Sequence, residues 1–305
     1  MQQTQISSFP ELLRTYQPEI DRSLDLYTSG CQGCPARLTE AIRYSVMAPG
    51  KRLRPALVLL ACEAIMGQWQ KALPAACAVE MIHVYSLIHD DLPSMDDDHL
   101  RRGLPTCHVR FDQATAILAG DSLQMLAIEV LCNHLPADKA VDCCRILSTA
   151  AGRSHLVGGQ MDDLAAEGRF GACDGQPQNP LDFLKQIHRR KTSALIEASL
   201  QMGGVIGGAD SSILDCLSEY GQRIGLAFQI VDDCLDVEST ADQMGKATGK
   251  DSQLGKLTYP SLLGLAESRS LAEGLVSEAC QYLAGLGERA AKLLALAQFV
   301  VDRNR

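Results

Sequence analysis

The sequence predicts an all-α fold, on three observations. Ala, Leu, Ile, Met and Glu dominate its long segments, and alternating β-branched runs bounded by turn residues are scarce. The breakers Pro49-Gly50, Gly67, Pro105, Pro136 and Pro260 fall between apolar segments. Helices are expected over roughly 35–48, 53–66, 74–91, 113–134, 137–157, 181–206, 211–237, 260–284 and 287–302, to within a few residues. Two stretches read as loops: 168–180, rich in Gly, Pro, Asn and Gln, and 238–259, which mixes three glycines with Lys246, Lys250 and Lys256. No composition shift, long linker or fixed-period repeat divides the chain, which points to one helical domain over residues 1–305.

Composition narrows the function classes. The 305 residues carry 28 Lys and Arg against 37 Asp and Glu, for a net charge of −9. That balance argues against a nucleic-acid binder, which needs a basic face to displace counterions, but leaves room for local binding of small anions. The N-terminal residues lack a basic stretch followed by an apolar core, so no secretory signal is visible. Cys62, Cys77 and Cys132 sit in apolar runs, and Cys31-Gln-Gly-Cys34 has no second pair at zinc spacing. Reduced thiols and a cytoplasmic location are expected. No membrane span is expected: the most apolar early stretch, Pro55 to Met66, is short and contains Glu63.

The 74–91 segment is apolar nearly all round, yet Glu80, His83, Asp90 and Asp91 fall on one side of it at 100° per residue. Unpaired buried charge is costly, so this stripe is expected to face a cavity. Two acidic clusters follow apolar helices: Asp90-Asp91-Leu-Pro-Ser-Met-Asp96, continued by Asp97 and Asp98, and Asp232-Asp233-Cys-Leu-Asp236. One acidic run is ordinarily a solvated helix end; two, each behind an apolar helix, point to metal. Residues 232 and 236 share a helical face, and carboxylates so placed ligate hard cations while leaving positions open for phosphate. No His or Cys joins either cluster at zinc-like spacing, which favours magnesium or manganese. Lys51, Arg54, Arg101, Arg102, Lys191, Lys246 and Lys256 supply positive charge suited to a diphosphate.

These motifs resemble the trans-type isoprenyl diphosphate synthases, most closely the bacterial farnesyl diphosphate synthases. The resemblance runs from Gly50-Lys-Arg-Leu-Arg-Pro55 to Gly255-Lys-Leu-Thr-Tyr-Pro260. Between them lie Ser86-Leu-Ile-His-Asp-Asp-Leu-Pro-Ser-Met-Asp96, Leu100-Arg-Arg-Gly-Leu-Pro-Thr106, Ala119-Gly-Asp121, Lys191-Thr192 and Phe228-Gln-Ile-Val-Asp-Asp-Cys-Leu-Asp236. It implies a homodimer whose subunits are helical bundles around a deep central cavity, with both aspartate clusters at its mouth. Asp90 and Asp96, supported by Asp91, would hold two magnesium ions, and Asp232, assisted by Asp233 and Asp236, a third, with manganese as a substitute. Arg101, Lys191, Lys246 and Lys256 would bind the allylic diphosphate; Lys51, Arg54, His83 and Arg102 would bind isopentenyl diphosphate. Thr192 and Gln229 would place dipoles near the allylic carbon, while Gln160 and Asp163 would orient neighbours. The 238–259 loop is the candidate lid, and the released diphosphate is the implied base. Tyr85, five residues before the first aspartate, would floor the pocket, with Ser86 lining it, and so stop growth at fifteen carbons. The alternatives are a geranylgeranyl diphosphate synthase and, in another class, a non-catalytic partner subunit. A terpene cyclase usually replaces the second aspartate cluster and lacks the Lys51–Arg54 site.

Overall fold

In the computed structural model, described for residues 9–170, 178–243 and 257–303, the chain is all-α apart from one two-stranded hairpin. It gathers into two compact units, Met1–Leu147 with Met202–Gly208 and Ser148–Gln201 with Ala209–Arg305.

In the first unit, α1 (Phe9–Thr28) was not expected from sequence. It buries Leu12, Tyr16, Ile20 and Leu24, one residue per turn, so its stripe is a narrow i, i+4 line. α2 (Ala36–Val46), α3 (Leu53–Met66) and α4 (Leu73–Asp90) follow their expected segments closely. α3 and α4 are buried along most of their lengths. β1 (Leu100–Arg101) and β2 (Leu104–Pro105) pair antiparallel across Arg102 and Gly103. Both loop residues have positive φ, 54° and 79°. A two-residue hairpin turn of this kind matches strand twist and favours glycine at its second position. After the single turn α5 (Cys107–Arg110) come α6 (Gln113–His134) and α7 (Ala137–Ala151).

In the second unit, the helix expected over 137–157 ends early. A short break precedes α8 (Leu156–Ala166). α9 (Pro180–His188) leads through a π-helical turn, Arg189–Ser193, into α10 (Ala194–Gly207). α11 (Ser211–Gln243) runs past its expected end at 237, into the stretch read as a loop. The segment expected as one helix over 260–284 is broken at Gly264 (φ 84°) into α12 (Tyr259–Leu263) and α13 (Leu265–Tyr282); α14 (Ala291–Asp302) closes the chain.

Two helical stretches, Gln70–Asp90 and Gln113–His134, are long and apolar enough to cross a bilayer by length and composition. Of the most apolar 18-residue window in each, 72% is buried in the first, as in a core helix, and 44% in the second. The eleven described cysteines are free thiols.

Candidate active site

The first aspartate cluster starts at the end of α4 and folds back on itself. The Asp96 N–H donates to the Asp90 carbonyl at 2.8 Å, and Met95 and Asp97 both donate to Leu92. This tight loop, with Asp97 at φ 50°, brings two aspartates six positions apart to adjacent backbone. Asp91 behaves differently. It is buried and accepts from Arg101 Nε and Nη2, at 2.7 and 2.6 Å. Burial raises its pKa, opposed by Arg101. Asp91 therefore fixes the hairpin arginine and sits behind Asp90 and Asp96.

The helical stripe divides in the same way. Glu80 does not face a cavity: it is buried against Arg52 Nη1 at 2.8 Å, and Arg52 also binds Asp21 at 2.8 Å. A neutralised pair satisfies the cost of burial without a cavity. His83 lies beside Arg54 Nη1 at 3.4 Å. Desolvation, then the charges of Arg54, Arg102, Arg101 and Arg52, hold its pKa well below the usual value, so it is a neutral acceptor. Arg102 reaches Pro49 O at 2.7 Å and crosses Gly50 so closely that a Cβ there would lie 2.4 Å from Nη1. The hairpin tip thus meets the segment carrying exposed Lys51 and half-buried Arg54. Of the residues expected to hold isopentenyl diphosphate, the structure gathers Arg54 and Arg102 about His83.

Tyr85 is buried, its ring edge-on to His89 at 5.7 Å, and desolvation followed by Asp90 pushes its hydroxyl up to about 12. His89 Nε2 meets the Ile117 carbonyl of α6 at 3.1 Å. A Cβ on Gly120 would come within 2.1 Å of that ring, which explains the glycine in Ala119-Gly-Asp121. Ser86 is half-buried and donates to His83 O at 2.9 Å.

In the second unit the π-helical turn carries Lys191 and Thr192. Such turns interrupt regular packing and recur at functional sites. Lys191 Nζ bonds Asp163 at 2.7 Å, and Arg190 bonds Asp162 at 2.6 Å, so α8 orients both cations. A Cβ on Gly159 would sit 2.4 Å from Lys191 N, and one on Gly225 2.6 Å from Ser193 Cα. Those glycines let α8 and α11 close on the turn. Thr192 Oγ1 donates to Gln229 Oε1 at 3.1 Å, Gln229 Nε2 to Asp233 Oδ1 at 3.3 Å, and the Tyr259 N–H to Asp233 Oδ2 at 3.1 Å. Thr192 and Gln229, paired from sequence by resemblance alone, are thus in direct contact. Burial pushes Asp233 up to about 6, opposed by these two donors. Like Asp91, it is the inward-facing member of its cluster, while Asp232 is half-buried and Asp236 exposed. Lys246, Lys256 and most of the candidate lid lie outside the described residues.

The sequence reading missed Arg303. It follows α14, bonds Asp232 Oδ1 at 2.9 Å and stacks 3.9 Å from the Phe228 ring. It missed also that His99 and His108 join Asp97: a ligand atom from each lies within 4.8 Å of the others, the only such set of three among the described residues. The hairpin closes a gap that linear spacing leaves open. The aspartate clusters do not gather three ligand atoms in this way, but magnesium ordinarily takes one or two carboxylates and completes its shell with water and substrate phosphate. Asp90 with Asp96, and Asp232 with Asp236, fit that oxygen-only donor set.

The polyprenyl synthetase family model matches residues 35–284. A dimethylallyltranstransferase of Fischerella ambigua is 43% identical over 97% of this chain and 84% of its own length. A geranylgeranyl diphosphate synthase of Cyanophora paradoxa is 44% identical over 90% of each chain. The solved structure of an FPP/GFPP synthase from Zymomonas mobilis superposes with a TM-score of 0.83, at 38% identity, over 96% of this chain and 98% of that one. The match spans the hairpin arginines, the π-helical turn and both aspartate clusters, and the chain belongs to the polyprenyl synthetase family.

Proposed function

We propose that this prenyl transferase condenses dimethylallyl and then geranyl diphosphate with isopentenyl diphosphate, giving mainly farnesyl diphosphate with magnesium as its cofactor. The observation that carries the reading is that the two aspartate clusters are built alike. Each aspartate cluster has one buried, hydrogen-bonded member, Asp91 or Asp233, and outer carboxylates of the oxygen-only kind that magnesium takes. Asp90 and Asp96, with Asp232 and Asp236, would hold magnesium, which supplies Lewis-acid stabilisation of the departing diphosphate.

The chain's own residues supply the rest. Asp163 holds Lys191 in place for the allylic diphosphate, and Asp91 does the same for Arg101. Thr192 and Gln229, locked to each other and to Asp233, offer fixed dipoles near the allylic carbon without reorganising. Lys51, Arg54 and Arg102 bind the second diphosphate, with His83 neutral among them, so the arginine pair repels less than with an imidazolium between. No described side chain is needed as base, since the released diphosphate can accept the proton.

A fifteen-carbon product rests on the buried Tyr85 ring; the geranylgeranyl reading is favoured by the name of the Cyanophora paradoxa relative. We propose further that the enzyme is a cytoplasmic homodimer. Leu118, Met125 and Cys132, seven residues apart on α6, form an exposed, largely apolar stripe that a second copy would cover.

Kinetics of three variants test the site. Asp90→Ala and Asp232→Ala should each lower turnover about 100- to 1,000-fold, as loss of a transition-state charge stabiliser does. Arg54→Ala should raise KM for isopentenyl diphosphate roughly 10- to 100-fold with a smaller change in turnover, because that diphosphate does not leave. An Arg54→Ala effect confined to the allylic substrate would mean the two diphosphate sites are exchanged.

A further inference from the structure

We propose that Asp97, which continues the first acidic cluster, forms a zinc site with His99 and His108, distinct from the Asp90 and Asp96 carboxylates assigned to magnesium. The three residues flank the β1–β2 hairpin: Asp97 and His99 precede it and His108 follows it. His99 Nε2 stands 3.7 Å from Asp97 Oδ1, the two imidazoles are 6.1 Å apart between centroids, and one ligand atom from each residue lies within 4.8 Å of the others.

Thr106 fixes the chemistry of one ligand. Its buried hydroxyl donates its single proton to the Asp98 carbonyl at 2.7 Å. The same oxygen, 3.1 Å from His108 Nδ1, can then only accept, so Nδ1 carries the proton and the His108 lone pair is on Nε2. An oxygen that accepts from the other ring nitrogen, and so sets the imidazole tautomer, is the usual support of a metal-binding histidine. The Thr106 N–H donates to the His99 carbonyl at 3.0 Å, which ties the backbones of the two histidine segments together.

Two imidazoles and one carboxylate are a borderline donor set, suited to zinc and poorly matched to magnesium, which prefers six oxygens. Zinc at about 2.0–2.2 Å from each ligand requires ligand atoms about 3.4 Å apart. His99 and Asp97, with side chains 72% and 60% exposed, are free to swing that distance toward His108, and water fills the fourth position. The occupied site staples the base of the hairpin whose residues Arg101 and Arg102 contact Asp91 and Pro49. Zinc here stabilises the hairpin and is not a participant in turnover.

Equilibrium dialysis of the whole protein against zinc, with magnesium in large excess and metal content measured directly, tests this. Wild type should retain one more zinc per chain than His99→Ala or His108→Ala, and the affinity of that ion should fall at least about tenfold in either variant. Thiol-bound zinc contributes equally to all of them and cancels in the comparison. His99 is exposed, so its replacement leaves the fold intact and should leave magnesium-supported turnover unchanged. Asp90→Ala and Asp232→Ala should keep the extra zinc. Equal zinc in wild type and His99→Ala, or loss of the difference in excess magnesium, would overturn the proposal. So would loss of the ion in Asp90→Ala with retention in His99→Ala, which would place it in the aspartate cluster.

Discussion

At the scale of single residues, the site works by giving neighbouring like groups unlike environments. His83 shows it most directly, since burial and four arginines keep its folded pKa well below the usual value. In the unfolded chain it titrates near about 6.5, so the unfolded state alone takes up the proton as pH falls below that value. The stability this residue contributes is complete above about pH 6.5 and is lost as pH drops toward the folded pKa. Melting temperature should therefore decline between pH 7.5 and 5.5, and His83→Gln should flatten that decline relative to wild type. An identical slope in the variant would show that His83 takes up its proton in the folded protein as readily as in the unfolded chain. Tyr85 gives a second test. If its ring floors the pocket, Tyr85→Ala shifts products toward twenty carbons; an active variant with an unchanged product distribution removes the ring from that role.

Among the elements, the π-helical turn makes the sharpest demand on its neighbours. Gly159 has Lys191 N 2.4 Å and Arg190 Cβ 2.8 Å from where its Cβ would be, both backbone-anchored atoms that cannot swing aside. Gly159→Ala should push α8 from the turn, costing about 1–3 kcal/mol as overpacking does, and lower turnover by displacing Lys191 and Thr192. A variant with unchanged melting temperature and turnover would show that the turn moves freely. The turn also marks where sequence reading stops. Lys191 and Thr192 stand out by motif, but an expected continuous helix over 181–206 hides the extra residue of the turn, because the apolar period on either side stays helical. α1 was not among the expected helices, although Leu12, Tyr16, Ile20 and Leu24 carry a legible four-residue period. The outer aspartates were readable from their pattern. Arg303, Glu80 with Arg52, and His99 with His108 were not, since each depends on a partner that only the fold brings near.

On the scale of the whole molecule, the proposed magnesium-dependent condensation draws on two carboxylate clusters and two groups of cations. Family membership fixes prenyl transfer as the class of chemistry; the product and the metal rest on the site. Carboxylates and diphosphates repel one another, so an intervening cation is required for binding. The direct measurement is incubation of the protein with dimethylallyl and isopentenyl diphosphates, with magnesium or with chelator, and separation of products by chain length. A mainly fifteen-carbon diphosphate is expected with magnesium, none with chelator, and recovery when magnesium is restored. Condensation at full rate in chelator, or no condensation with magnesium present, would contradict the proposed reaction.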